Sequence, residues 1–155
     1  MTNIVKIAYE FLEALNDLKP ESKPLWGKMS AQHMVEHLIF AVQMGNGKLF
    51  LECFNPPEKL PLLKRILMSN KPLPKLFVNP VIGPELMELE YSSLEEAKSN
   101  LKKEVDDYYS YFEKNPEAKL VNVTFGELNF AEWEAFHKKH FTHHLSQFGL
   151  IGSDK

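Results

Sequence analysis

The sequence predicts an all-α protein, a four-helix bundle with a long crossover connection between the second and third main helices. Three observations predict it. Four segments carry apolar residues at the three- and four-residue spacings of a helical face, a proline-rich stretch over 50–91 divides them two and two, and only one short run alternates as a strand would.

Ile4, Ala8, Phe11, Leu15 and Leu18 form one apolar face and Pro20 follows, so the first helix is expected over 3–18. After a loop holding Pro24 and Gly27, Ser30 can cap a second helix that runs through Met44, where Gly45 and Gly47 supply the stop. Pro56, Pro57, Pro61, Pro72, Pro74, Pro80 and Pro84 then forbid long regular elements, leaving room for a short helix over 58–68. A connection of this length covers or lines something, as a strap across the bundle or as a lid. The third long helix starts at Ser92 or Ser93, where Ser-x-x-Glu capping boxes end at Glu95 and Glu96. It buries Leu94, Ala97, Leu101, Val105, Tyr108 and Phe112, turns its charged residues to solvent, and ends before Pro116. Val121, Val123 and Phe125 alternate with polar residues as an extended run, and Asn129 can cap a last helix that reaches Gly149.

At 155 residues the chain suits a single domain spanning 1–155, and 44% hydrophobic with 25% charged residues is an ordinary globular composition. A net charge of -3, with Lys and Arg interspersed among Asp and Glu, offers no broad basic surface, so no nucleic-acid partner is expected. Cys53 is the only cysteine and is expected to pack in or near the core. The start MTNIVKIAYEFLEAL lacks the basic flank and apolar run of a secretory signal, which points to a reducing, cytoplasmic setting. No stretch approaches ~18 uninterrupted apolar residues, so no membrane span and no membrane partner are expected. A homodimer is compatible with the apolar faces of such bundles.

The six histidines fall in two windows: His33 and His37 in the second helix, and His137, His140, His143 and His144 in the last. The helical projection puts His137, His140 and His144 on the face of Phe130, Trp133, Phe141, Leu145 and Phe148. It puts His37 among Met34, Ala41 and Met44, turns Glu36 to the other side, and leaves His143 on an exposed flank. Several imidazoles buried together are costly unless each finds a partner, and a shared metal supplies one. The i,i+4 pair His140 and His144 offers two ring nitrogens from one face, and His37 on a facing helix completes a three-nitrogen site for a divalent ion.

The stretch Met29-Ser-Ala-Gln-His-Met-Val-Glu-His-Leu38 and the stretch from Phe125-Gly-Glu-Leu-Asn-Phe-Ala-Glu-Trp133 to His140-Phe-Thr-His-His-Leu-Ser-Gln-Phe-Gly149 resemble the two signature regions of the DinB-like superfamily. They are most similar to a branch of it with no assigned function. The resemblance implies a four-helix bundle with a long connection after its second helix, and a metal triad of one histidine from that helix plus an i,i+4 pair from the last. Those positions are His37, His140 and His144, while His33 and His137 fall outside the triad and are expected to be packed, to line the site or to support a ligand by hydrogen bonding.

His33-Met-Val-Glu-His37 also reads as the inverted zincin motif, with Glu36 as general base, but the projection turns Glu36 off the apolar face. Three neutral histidines leave an open coordination position, and zinc or nickel suits them. Zinc so held lowers the pKa of bound water toward 7 or activates a thiolate. The resembled superfamily includes thiol-dependent transferases and proteins described as metal-dependent hydrolases. The expected function is therefore a metal-dependent hydrolase or thiol transferase acting on a small molecule such as a low-molecular-weight thiol. The alternative is a non-catalytic metal-binding or stress-associated bundle. No catalytic residue is assigned, and Glu36 and Gln147 are candidates for orienting a ligand histidine or a water.

Overall fold

The computed structural model describes residues 6–72 and 88–151. Over these residues the protein is mostly helical, with α1 (Ile7–Ala14), α2 (Ala31–Gly45), α3 (Leu60–Leu67), α4 (Leu94–Lys114) and α5 (Phe130–Gln147). A short antiparallel hairpin, β1 (Leu120–Asn122) and β2 (Gly126–Leu128), precedes α5. No helix among the described residues is long and apolar enough to cross a membrane.

Of the first expected helix, residues 3–5 lie outside the described region, and the chain tightens into a 3-10 turn over Leu15–Asp17. Ala8 and Leu15 are buried, and the Phe11 ring stacks on Phe141 of α5 at 5.5 Å. Lys6 gives α1 no side-chain cap. The first backbone N–H groups of a helix have no partner within it, and here Tyr109 of α4 fills part of that role: its hydroxyl accepts from the Ala8 N–H at 3.0 Å. The Glu134 carboxylate of α5 accepts from the Ile7 backbone and from the Tyr108 hydroxyl at 2.9 Å.

The α2 helix starts where Ser30 Oγ accepts from the His33 N–H at 3.1 Å, and it packs against α4 and α5. Gly45, read from sequence as part of the stop, is instead the buried last residue of the helix, and the chain leaves through Gly47 at φ 84°. The short helix expected over 58–68 is α3, preceded by a 3-10 turn over Pro57–Lys59. Residues 73–87 of the expected strap or lid lie outside the described region.

The α4 helix is capped by Ser93 Oγ accepting from the Glu96 N–H and buries the expected seam from Leu94 to Phe112. Its charged residues are not all turned to solvent. Glu104 is only 6% exposed, because Asn46 Nδ2 donates to its carboxylate at 2.9 Å and Lys48 Nζ stands 2.9 Å from it. The extended run expected across 121–125 is broken into a hairpin. Asn122 Oδ1 accepts from the backbone N–H groups of Thr124 and Phe125, which closes a turn and carries Val123 and Phe125 into the core. Asn129 and Glu132 then form a reciprocal capping box that starts α5.

Candidate metal centre

The α2 and α5 helices meet closely because Gly45 has no side chain. A Cβ there would stand 3.0 Å from the Trp133 ring and 3.2 Å from His137 Nε2. Two turns earlier on α2, His37 reaches across to α5. Its ring lies 4.8 Å from that of His140 and 4.7 Å from that of His144, and these two are 4.7 Å from each other. One ring nitrogen from each can be chosen so that all three lie within 4.8 Å of one another. The residues that helical projection and the family resemblance both select are thus brought together.

His140 and His144 are 7% and 6% exposed, and His37 is half-buried. Burial is the main cause that lowers all three imidazole pKa values, His37 to about 4 and the other two well below the ordinary histidine value. Their mutual proximity and that of His143 push in the same direction. All three rings are neutral near pH 7 and offer lone pairs, the form that binds a metal.

His37 Nε2 and His140 Nε2 stand 2.9 Å apart, a distance at which one proton is shared between them. A tetrahedral ion with bonds of about 2.0–2.1 Å separates its nitrogens by about 3.3–3.4 Å, so the pair would have to open by a few tenths of an ångström to hold one. The tautomer of His144 is set from outside the group. Gln147 Nε2 donates to the Trp26 carbonyl oxygen at 2.8 Å, an atom that can only accept. The amide oxygen of Gln147 therefore faces His144, accepts from Nδ1–H at 2.8 Å, and leaves His144 Nε2 bare for coordination. Gly27 makes room for this bridge, since a Cβ there would come within 2.6 Å of Gln147 Nε2, and its φ of +84° suits glycine. The donor set fits a divalent ion in number, charge state and, at His144, orientation. His140 departs from the usual pattern in one respect, because its buried Nδ1 has no hydrogen-bond partner.

The remaining histidines do other things. His33 Nδ1 is 2.7 Å from Ser30 Oγ, and His33 is not among the converging residues. Glu36 accepts from the backbone N–H groups of Glu90 and Tyr91 and from Gln32 Nε2, so it pins the segment before α4 and does not orient a ligand. This pairing leaves the inverted zincin reading without either of its distinctive residues. His137 is packed as expected, 1% exposed and set edge-to-face with Tyr108 at 4.7 Å, with no hydrogen-bond partner for either ring nitrogen. His143, expected on an exposed flank, is half-buried, its ring 5.9 Å from Trp26 and 4.8 Å from His144. Trp26 escaped the sequence reading altogether, since nothing local ties a loop carbonyl to a glutamine 121 positions away. Gln147 was more legible: it follows His144 by three residues and so shares its face.

Cys53, expected to pack in or near the core, is instead half-buried in a cleft of about 460 Å³ that Phe50, Leu60, Lys64 and Glu127 also line. No histidine contributes to that cleft. Comparison with protein-family models, with curated proteins and with solved structures gives no match.

Proposed function

We propose that this protein is a metal-dependent enzyme, a hydrolase or a thiol transferase, that holds a divalent ion on His37, His140 and His144 within a single DinB-like four-helix bundle. The observation that carries the reading is the convergence of three neutral imidazoles from two helices on one point. The bundle assignment is supported by the packing of α1 on α4 and α5 and of α2 on α4 and α5, with α3 in the connection between the two halves. Zinc and nickel are the proposed ions, because both accept imidazole nitrogen.

Bound by these histidines, a divalent ion would supply Lewis acidity to a water or a thiol. The protein's own residues do the rest. His140 and His144 present two nitrogens from one helical face, Gln147 holds the second of these rings in the coordinating tautomer, and His37 is the least buried of the three. A small substrate, a low-molecular-weight thiol among the candidates, would approach there. The proposed setting is cytoplasmic, where such thiols are reduced.

Metal analysis of the purified protein tests the site. Stoichiometric metal is expected in the parent and in His33→Ala, and none in His37→Ala or His140→Ala. Retention of metal in the last two variants overturns the assignment. Turnover is tested by a panel of activated esters and thiol-transfer substrates, with the ion removed and restored.

A non-catalytic metal-binding or stress-associated role is the second reading. The near-complete burial of His140 and His144 favours it, since burial limits how a substrate reaches the ion. Metal bound by the parent with no ion-dependent turnover across the panel selects this reading.

A further inference from the structure

The basic residues are not spread evenly along the chain. Residues 59–84 hold Lys59, Lys64, Arg65, Lys71 and Lys75, five of the 18 Lys and Arg, and none of the 21 Asp and Glu. The α3 helix lies in this stretch. Its inner side is anchored by buried Leu67 and by Lys64, which is 3.7 Å from Glu132 of α5. Just past the helix, the Lys71 carbonyl oxygen accepts from Lys139 Nζ.

The outer side is different. Leu62, Ile66 and Met68 are 56%, 41% and 54% exposed, and Phe50, which shares a cleft with Leu60 and Pro61, is 68% exposed. These are four of the six large hydrophobic residues exposed among the described residues. Lys59, Arg65 and Lys71 are exposed in the same stretch, so an apolar ridge is accompanied by cations.

We propose that the outer face of α3 docks on an anionic lipid bilayer. The surface presents long apolar side chains along an exposed helix face, and the headgroup region accepts such a face without a matching groove, which a protein partner would need. Its charge complements anionic headgroups. On the described part of this stretch the exposed cations Lys59, Arg65 and Lys71 outnumber the exposed Glu58 that precedes it, so this face is attracted to an anionic surface. A helix that lies in the headgroup region needs no spanning segment, so the absence of one does not bear on the proposal. The proposal stands independently of any metal.

The test is co-sedimentation of the full chain with vesicles of equimolar phosphatidylglycerol and phosphatidylcholine, and with vesicles of phosphatidylcholine alone. Each Lys or Arg near an anionic surface strengthens binding about fivefold. The chain is expected to bind the mixed vesicles at least about tenfold more tightly than the neutral ones. Lys59→Glu/Arg65→Glu is expected to lose about 25-fold or more of that affinity, and Leu62→Ser/Ile66→Ser to lose most of it. Both variants change exposed residues, and unchanged circular dichroism confirms that they fold. Failure of the parent to bind the mixed vesicles, or undiminished binding by either variant, overturns the proposal. A parent that ignores vesicles but binds polyglutamate, or that is a dimer which Leu62→Ser/Ile66→Ser dissociates, also overturns it and assigns the face to an acidic peptide or to a second copy.

Discussion

Gln147 accepts a hydrogen bond from Nδ1 of His144 at 2.8 Å, and its other end is tied to a main-chain oxygen, so the bond has a fixed direction. A single amide thereby decides which nitrogen of His144 is available to an ion. It also links that imidazole to the loop at Trp26, whose neighbour Leu25 donates its backbone N–H to the Gln147 carbonyl oxygen at 2.6 Å.

Replacing Gln147 with Leu removes both hydrogen bonds while leaving a side chain of comparable bulk. Loss of such an orienting partner weakens metal binding by roughly 10- to 100-fold. Competition titration against a chromophoric chelator measures it, with Gln147→Glu as the informative companion. The carboxylate still accepts from Nδ1–H but cannot donate to the Trp26 oxygen, so an affinity nearer the parent's is expected together with a loosened loop. Equal affinity in the parent and Gln147→Leu would remove Gln147 from the site.

Gly45 and Gly47 separate two roles that lie two residues apart. Gly45→Ala forces a methyl group against Trp133 and His137, which costs about 1–3 kcal/mol and spreads α2 from α5. Both stability and metal affinity are expected to fall. Gly47→Ala meets nothing closer than Tyr111 at 3.6 Å and suffers only from its φ of +84°, a cost of about 1–2 kcal/mol. Its metal affinity is expected to match the parent's. Urea unfolding together with the chelator titration checks the pair, and an affinity loss in both variants would mean that the helix approach is not the cause.

Acid should destabilise the metal-free protein in a defined direction. Burial lowers the His137 pKa to about 3, whereas an unfolded chain takes up that proton near ~6.5. Between these values the unfolded state holds more protons, so stability is fully present above ~6.5 and is lost as the pH falls toward 3. The slope from this group alone is about 1.4 kcal/mol per pH unit in the middle of that range. His37, lowered to about 4 by burial and His143, adds to the loss over a narrower window. Thermal unfolding from pH 8 to pH 4 is expected to show a flat region and then a decline, shallower in His137→Leu. An identical decline in that variant would show that His137 is not among its causes.

The convergence of His37, His140 and His144 was legible because each position obeys a local rule: an i,i+4 pair on one face, and a histidine among apolar neighbours on another helix. The capping residues Ser30, Ser93 and Asn129 were equally local and begin their helices in the structure. What escaped depends on partners distant in sequence. Burial of Glu104 rests on Asn46 and Lys48, more than fifty positions earlier, and the semi-burial of His143 rests on Trp26. The hairpin was missed for another reason. Period-two alternation announces extended backbone, but the turn is made by the side chain of Asn122, which the alternation does not encode.

The start of α1 receives hydrogen-bond acceptors from Tyr109 and Glu134 and has no side-chain cap of its own. Eight residues without a cap are too few to persist as an isolated helix in water. Synthesis runs from N to C, so α1 is made before the two side chains, on α4 and α5, that complete its first turn. The order of α1 therefore reports that α4 and α5 have already arrived.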